Sequence, residues 1–163
     1  MKLSICFVIF FFFLSGCGTS TNVKKIHDEQ FVKIHLQFGF VDELNTFEGT
    51  FTKDLVMDGL ITVEFWLSKE DQESIIQLAQ ELSFFSLPNT IPMKPGVGME
   101  PNPSPDSLRI KFEDLDNKVV WSYPNDPENT DYMKVIELSE HIMSIVKESE
   151  KYKSLPEARG GRV

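Results

Sequence analysis

Two cysteines, three histidines and a few carboxylate clusters are the residues from which this 163-residue chain would have to assemble a reactive site. His27, His35 and His141 stand far apart, without the close pairing of zinc-ligand motifs, so each reads as a surface histidine rather than a metal ligand. Glu113-Asp114-Leu115-Asp116-Asn117 gathers acids that would suit a calcium ion. It lacks the glycine and terminal bidentate glutamate of a calcium loop, and a hairpin turn explains the same composition. Asp126, Glu128 and Asp131 suit the first turn of a helix, where acids favour the positive end of the dipole. No Gly-x-Ser-x-Gly elbow, P-loop or dinucleotide fingerprint occurs, so no catalytic residue, metal site or cofactor is expected.

These residues hang on elements that the hydropathy pattern lays out from the first position. Lys2 precedes the apolar run Ile5 to Leu14, about ten residues where a bilayer-spanning helix needs about twenty. The run fits the h-region of a secretion signal. It closes in Leu14-Ser15-Gly16-Cys17, which resembles the lipobox of bacterial lipoproteins: an aliphatic residue at −3, small residues at −2 and −1, then the cysteine. The resemblance implies that residues 1–16 are removed and that the Cys17 thiol carries a diacylglyceryl thioether. Two or three acyl chains, at about 0.8 kcal/mol per buried methylene, hold a protein stably. The expected location is the extracytoplasmic face of the cell membrane. Gly18, in place of an aspartate, also permits the outer membrane of a two-membrane host. Cys6 leaves with the signal and Cys17 is alkylated, so no thiol remains for a disulfide, a zinc site or a nucleophile.

Without the signal, 147 residues remain, enough for one ordinary domain, and loss of Lys2 takes the formal net charge from −9 to −10. That acidity argues against nucleic acid as partner, and Lys24-Lys25 is too small a basic cluster to overcome repulsion from anionic lipid. Residues 17–30, with Thr19-Ser20-Thr21-Asn22 and no periodic apolar face, fit a flexible tether with a root-mean-square span of about 20 Å. Residues 31–163 form the domain.

Within it, Val32, Ile34, Leu36, Phe38 and Phe40 alternate with polar residues, which predicts a half-buried strand. Phe47, Phe51 and Leu55 predict a second strand. A tight Asp58-Gly59 turn joins it to a third through Ile61, Val63, Phe65 and Leu67. Ser68 with Asp71 suggests a capping box for a helix whose stripe is Ile75, Leu78, Ala79 and Leu82. Phe84-Phe85-Ser86-Leu87-Pro88 ends that helix. Six prolines and two glycines between Pro88 and Pro105 predict an extended surface loop. A second hairpin follows, through Leu108, Ile110 and Phe112, a turn around Asp116-Asn117, then Val119, Trp121 and Tyr123. Asp126-Pro127 predicts the start of a long amphipathic helix through Val135, Leu138, Ile142, Ile145, Val146 and Ser149, and the tail from Lys153 looks irregular. The order βββα, loop, ββα predicts an α+β domain, an antiparallel sheet of about five strands with two helices on one face.

The face away from the helices should then carry Lys33, His35 and Gln37, Thr62, Glu64 and Trp66, and Arg109 and Lys111. Trp66 on a polar strand parity would suit an anchor for a ligand or partner, or a tryptophan packed at the sheet edge. Candidate binding residues are therefore Trp66, His35, Lys33 and Arg109, with Met93, Val97 and Met99 giving the long loop an adhesive surface. Leu67-Ser68-Lys69-Glu70-Asp71, Phe84-Phe85-Ser86-Leu87-Pro88 and Leu155-Pro156-Glu157-Ala158-Arg159-Gly160-Gly161 are similar to segments of small lipoproteins of Gram-positive bacteria. That resemblance implies a shared fold and carries no activity or site residue. With an anchor, a core and no reactive set, the leading expectation is a non-enzymatic binding or interaction module for an envelope protein or a small ligand. The alternatives are an envelope hydrolase using carboxylates or His35, and a small-ligand carrier or inhibitor with the proline-rich loop as lid. Two converging acids with shifted pKa in one pocket would favour the hydrolase.

Overall fold

Val32, Ile34 and Leu36 are fully buried and alternate with Lys33, His35 and Gln37, the period of two that makes strand β1 (Val32–Phe38). The computed structural model describes residues 30–39, 41–92, 105–122 and 128–160. The expected signal, residues 1–16, with Cys17, His27, Phe40, most of the proline-rich loop including Met93, Val97 and Met99, Tyr123 and Asp126-Pro127, lies outside the described residues. After β1 come β2 (Asp42–Asn45), β3 (Thr50–Asp54), β4 (Leu60–Glu64), helix α1 (Lys69–Glu81) and a 3-10 turn (Phe84–Ser86). Then follow β5 (Thr90–Ile91), β6 (Asp106–Phe112), β7 (Leu115–Trp121), helix α2 (Thr130–Glu148) and the short α3 (Glu150–Lys153).

The protein is α+β, with one seven-stranded sheet in the order β4-β3-β2-β1-β6-β7-β5. All neighbours are antiparallel except β5 and β7. The five strands expected from the sequence become seven because two are short and carry weak strand signals. β2 has Leu44 as its one buried residue among Asp, Glu and Asn, which are poor strand formers. Part of the expected second strand, residues 46–49, is instead the turn leading into β3. β5 spans two residues beside the prolines, tolerated because it lies at the sheet edge.

The helices cover one face. Ile75, Ile76 and Ala79 of α1 and Val135, Leu138, Ile142, Met143 and Val146 of α2 join the inward residues of the strands in one core, with Trp121, Phe51 and Phe84 the largest fully buried side chains. Leu82 is half-buried at its margin. Phe84 meets Phe85 edge-on and closes one end. The capping box forms as the spacing predicts, with Ser68 Oγ accepting from Asp71 N and the Asp71 carboxylate from Ser68 N. Gln72, on the α1 stripe and fully buried, accepts from the amides of Phe31 and Val32 and so ties helix to sheet.

Other differences have local causes. The β6–β7 turn is Glu113-Asp114, three residues before the expected Asp116-Asn117, with Glu113 at φ 52°. Asn117 is buried in β7, where its Nδ2 donates to the carbonyls of Phe84 and Leu87. Helix α2 is capped by Asn129, whose Oδ1 accepts from Asp131 N and Tyr132 N. At the β3–β4 turn Gly59 takes positive φ as expected, but the second left-handed residue is Val56. The tail returns to that turn: Arg159 bridges Val56 and grips the Asp58 carboxylate. Gln30, the first described residue, is held to the segment before α1, its Nε2 donating to Leu67 O.

Candidate binding surface

The β2–β3 turn, Thr46 to Gly49, is built by four local devices. Thr46 is fully buried, its amide on Ile34 O at 2.8 Å and its hydroxyl accepting from Ile34 N at 2.7 Å. Asn45 Oδ1 accepts from Phe47 N, and Gly49 takes φ +71°. Over Gly49 lies the indole of Trp66: a Cβ there would sit 2.1 Å from its ring, so only glycine fits.

The four candidate binding residues lie near this turn, Lys33 and His35 on β1 and Arg109 on β6, while Trp66 follows the end of β4 rather than standing on a strand as expected. Lys33 Nζ reaches Thr46 O at 3.5 Å, and the Arg109 guanidinium stands over the Phe47 ring at 5.0 Å. Trp66 is half-buried, packed on Gly49 and donating Nε1–H to Glu64 Oε1 at 2.9 Å. His35 lies between Asn45 and Arg109 in the sheet register, with Nε2 at 2.5 Å from Glu43 Oε1. Arg109 binds Asp116 through two hydrogen bonds, 3.0 and 2.7 Å. That pairing lowers the Asp116 pKa and raises that of Arg109.

The register stacks like charges. Lys33 is directly opposite Lys111, which faces Asp116 on its other side, and Arg109 is directly opposite Lys118. Directly opposed like charges destabilise a sheet. Glu43 and Asp116 offset only part of this, leaving a cationic half-face on a chain of net charge −9. Towards β4 the same face turns neutral and acidic, through Thr50, Thr52, Thr62, Glu43 and Glu64.

The chain matches no protein-family model, no curated protein and no solved structure. Its chemistry must be read from its own residues.

Two clefts lie away from the cationic half-face. One of about 690 Å³ opens between Gln30, Trp66, Ser68, Gln72 and Lys151, and the buried Gln30 Oε1 has no hydrogen-bond partner among the described residues. The other, of about 410 Å³, holds Asp42 and Asp54 beside Lys147 and Met143. Burial raises the Asp42 pKa, opposed by the Asp54 amide that it accepts and reinforced by the Asp54 charge. Asp54 Oδ1 in turn accepts from Val56 N, so both acids serve the local turn. The composition gave no signal for this pair, which only the return of β3 past β2 brings together.

His141 Nε2 meets Ser74 Oγ at 2.8 Å and links the two long helices, with no carboxylate partner among the described residues. Ser144 and Lys147 have the Ser-x-x-Lys spacing, but Ser144 is exposed within α2 and donates to His141 O. No group of three metal-ligating residues occurs among the described residues, and no described helix is long and apolar enough to cross a membrane.

Proposed function

We propose that this chain is a lipid-anchored, extracytoplasmic binding module that uses the cationic half of its open sheet face to hold an acidic segment of an envelope protein. The observation that carries the reading is the stack of like charges, Lys33 opposite Lys111 and Arg109 opposite Lys118, with the Phe47 ring beneath Arg109. A sheet face selected for stability alone would alternate signs. An anionic partner turns the same repulsion into attraction. Trp66 then serves as the clamp that fixes the Thr46–Gly49 turn rather than as the anchor itself.

The anchor rests on Leu14-Ser15-Gly16-Cys17. In cells fed a tagged fatty acid, Cys17→Ser should lose the label and accumulate as precursor, while Cys6→Ser keeps it; a Cys17→Ser chain that matures and stays with the membrane contradicts the anchor. For the surface, Lys33→Ala with Lys111→Ala should weaken capture of an oligoglutamate peptide about tenfold, roughly 1.4 kcal/mol. Unchanged capture contradicts the surface.

A second reading, a hydrolase of envelope material, draws on the cleft that brings Asp42 and Asp54 together, where burial raises the Asp42 pKa in the direction that general-acid work requires. It requires turnover of an ester, peptide or glycan that Asp42→Asn abolishes.

A further inference from the structure

The two edges of the sheet are finished differently. β5 is two residues long with Pro88 and Pro92 nearby, so little of it is open to another strand. β4 is five residues, Leu60-Ile61-Thr62-Val63-Glu64, with no proline, lysine or bulge, and no described strand pairs with its outer side. Two hydrogen bonds fix which of its backbone groups are spent. Leu55 N donates to Gly59 O and Phe65 N to Gly49 O, so the odd-numbered residues of β4 face β3, and Leu60, Thr62 and Glu64 turn their N–H and C=O outward. Ile61 and Val63, on the core side, are half-buried hydrophobics at the edge of the core.

We propose that two copies of this chain join edge to edge through β4, antiparallel and centred on Thr62, to make one continuous fourteen-stranded sheet. The strand is complementary to itself in this register. It sets Thr62 against Thr62 of the second copy and Leu60 against Glu64, which are the residues whose backbone groups point outward. It also sets Ile61 against Val63 twice, so each half-buried side chain gains an apolar neighbour. The two Glu64 carboxylates stand at opposite ends of the seam, so no like charges meet. Every strand residue pairs, and none of the intrachain ladder is given up. The cationic half-faces begin at β1, beyond two further strands on either side of the β4 pair, and stay open.

Disulfide trapping in the full chain tests both contact and register. A hydrogen-bonded antiparallel pair holds its Cα atoms about 5.5 Å apart, within disulfide range. Thr62→Cys should therefore give a band of doubled mass on mild oxidation, above the background of the native cysteines. Leu60→Cys alone and Glu64→Cys alone should give none, because each residue is opposite the other type, whereas co-expressed they should cross-link. Lys118→Cys, exposed on the same face but far from β4, serves as control. The proposal is overturned if Thr62→Cys stays monomeric or links instead to a protein of different mass. It is equally overturned if Lys118→Cys links as readily, or if Leu60→Cys and Glu64→Cys link no better together than alone.

Discussion

Gly49→Ala separates the two roles open to Trp66, packing and ligand contact. An alanine at φ +71° costs about 1–2 kcal/mol from backbone sterics alone. Its Cβ would also stand 2.1 and 2.2 Å from two ring carbons of Trp66, so the indole must leave its seat. Displacing it exposes roughly 100 Å² of apolar surface at about 25 cal/mol per Å², close to 2.5 kcal/mol. It also breaks the exposed hydrogen bond to Glu64, worth about 0.5 kcal/mol. The expected total is about 4–5 kcal/mol. In a Trp66→Ala background only the backbone cost remains, so Gly49→Ala should cost about 1–2 kcal/mol there, a coupling of roughly 3 kcal/mol. Urea unfolding of the four proteins of the cycle measures it. A Gly49→Ala cost below about 1 kcal/mol, or one independent of Trp66, would refute the clamp and return Trp66 to the list of ligand contacts.

Gln72→Leu orphans the buried amides that begin β1 and should cost about 2–4 kcal/mol by urea unfolding; a change under about 0.5 kcal/mol would mean that water replaces the side chain. Lys33→Thr should instead stabilise by a few tenths of a kcal/mol, about 0.2–0.5, by removing the repulsion from Lys111, while weakening oligoglutamate capture; a destabilised variant contradicts the strained-face argument. Asp106 has its pKa raised by burial, against the Gly39 amide and Trp121 indole that favour its ionised form. The folded state therefore holds that proton more tightly, and a destabilising contribution grows as pH rises through the folded pKa. Asp106→Asn should gain stability relative to wild type as pH rises above the ordinary carboxylate range in unfolding experiments, and a constant difference would refute it.

Much of the fold follows from periodicity that a reader of the sequence can see. Alternation from Val32 to Phe38 and the stripe around Ile75, Ala79 and Ile142 mark residues buried by long elements, where many side chains repeat the same signal. β2 and β5 were illegible because their pairing comes from neighbours: Leu44 is held by Leu36 and Phe51, and Ile91 by Trp121. Asn117 misled the placement of the last turn because a residue typical of turns is used here to bond two buried carbonyls. The outward parity of Lys33, His35 and Arg109 was legible from alternation alone. Their stacking opposite Lys111 and Lys118 was not, since it depends on a strand register set by a turn and a hairpin far apart in sequence.

The cationic half-face is tested most directly by titrating the protein with oligoglutamate at low and raised salt, beside the charge-reversed variant Lys33→Glu with Lys111→Glu. Wild type should bind, bind more weakly as salt rises, and ignore oligolysine, while the reversed variant should lose oligoglutamate and take up oligolysine. Binding that is absent, insensitive to salt, or equal in the two proteins would contradict the account.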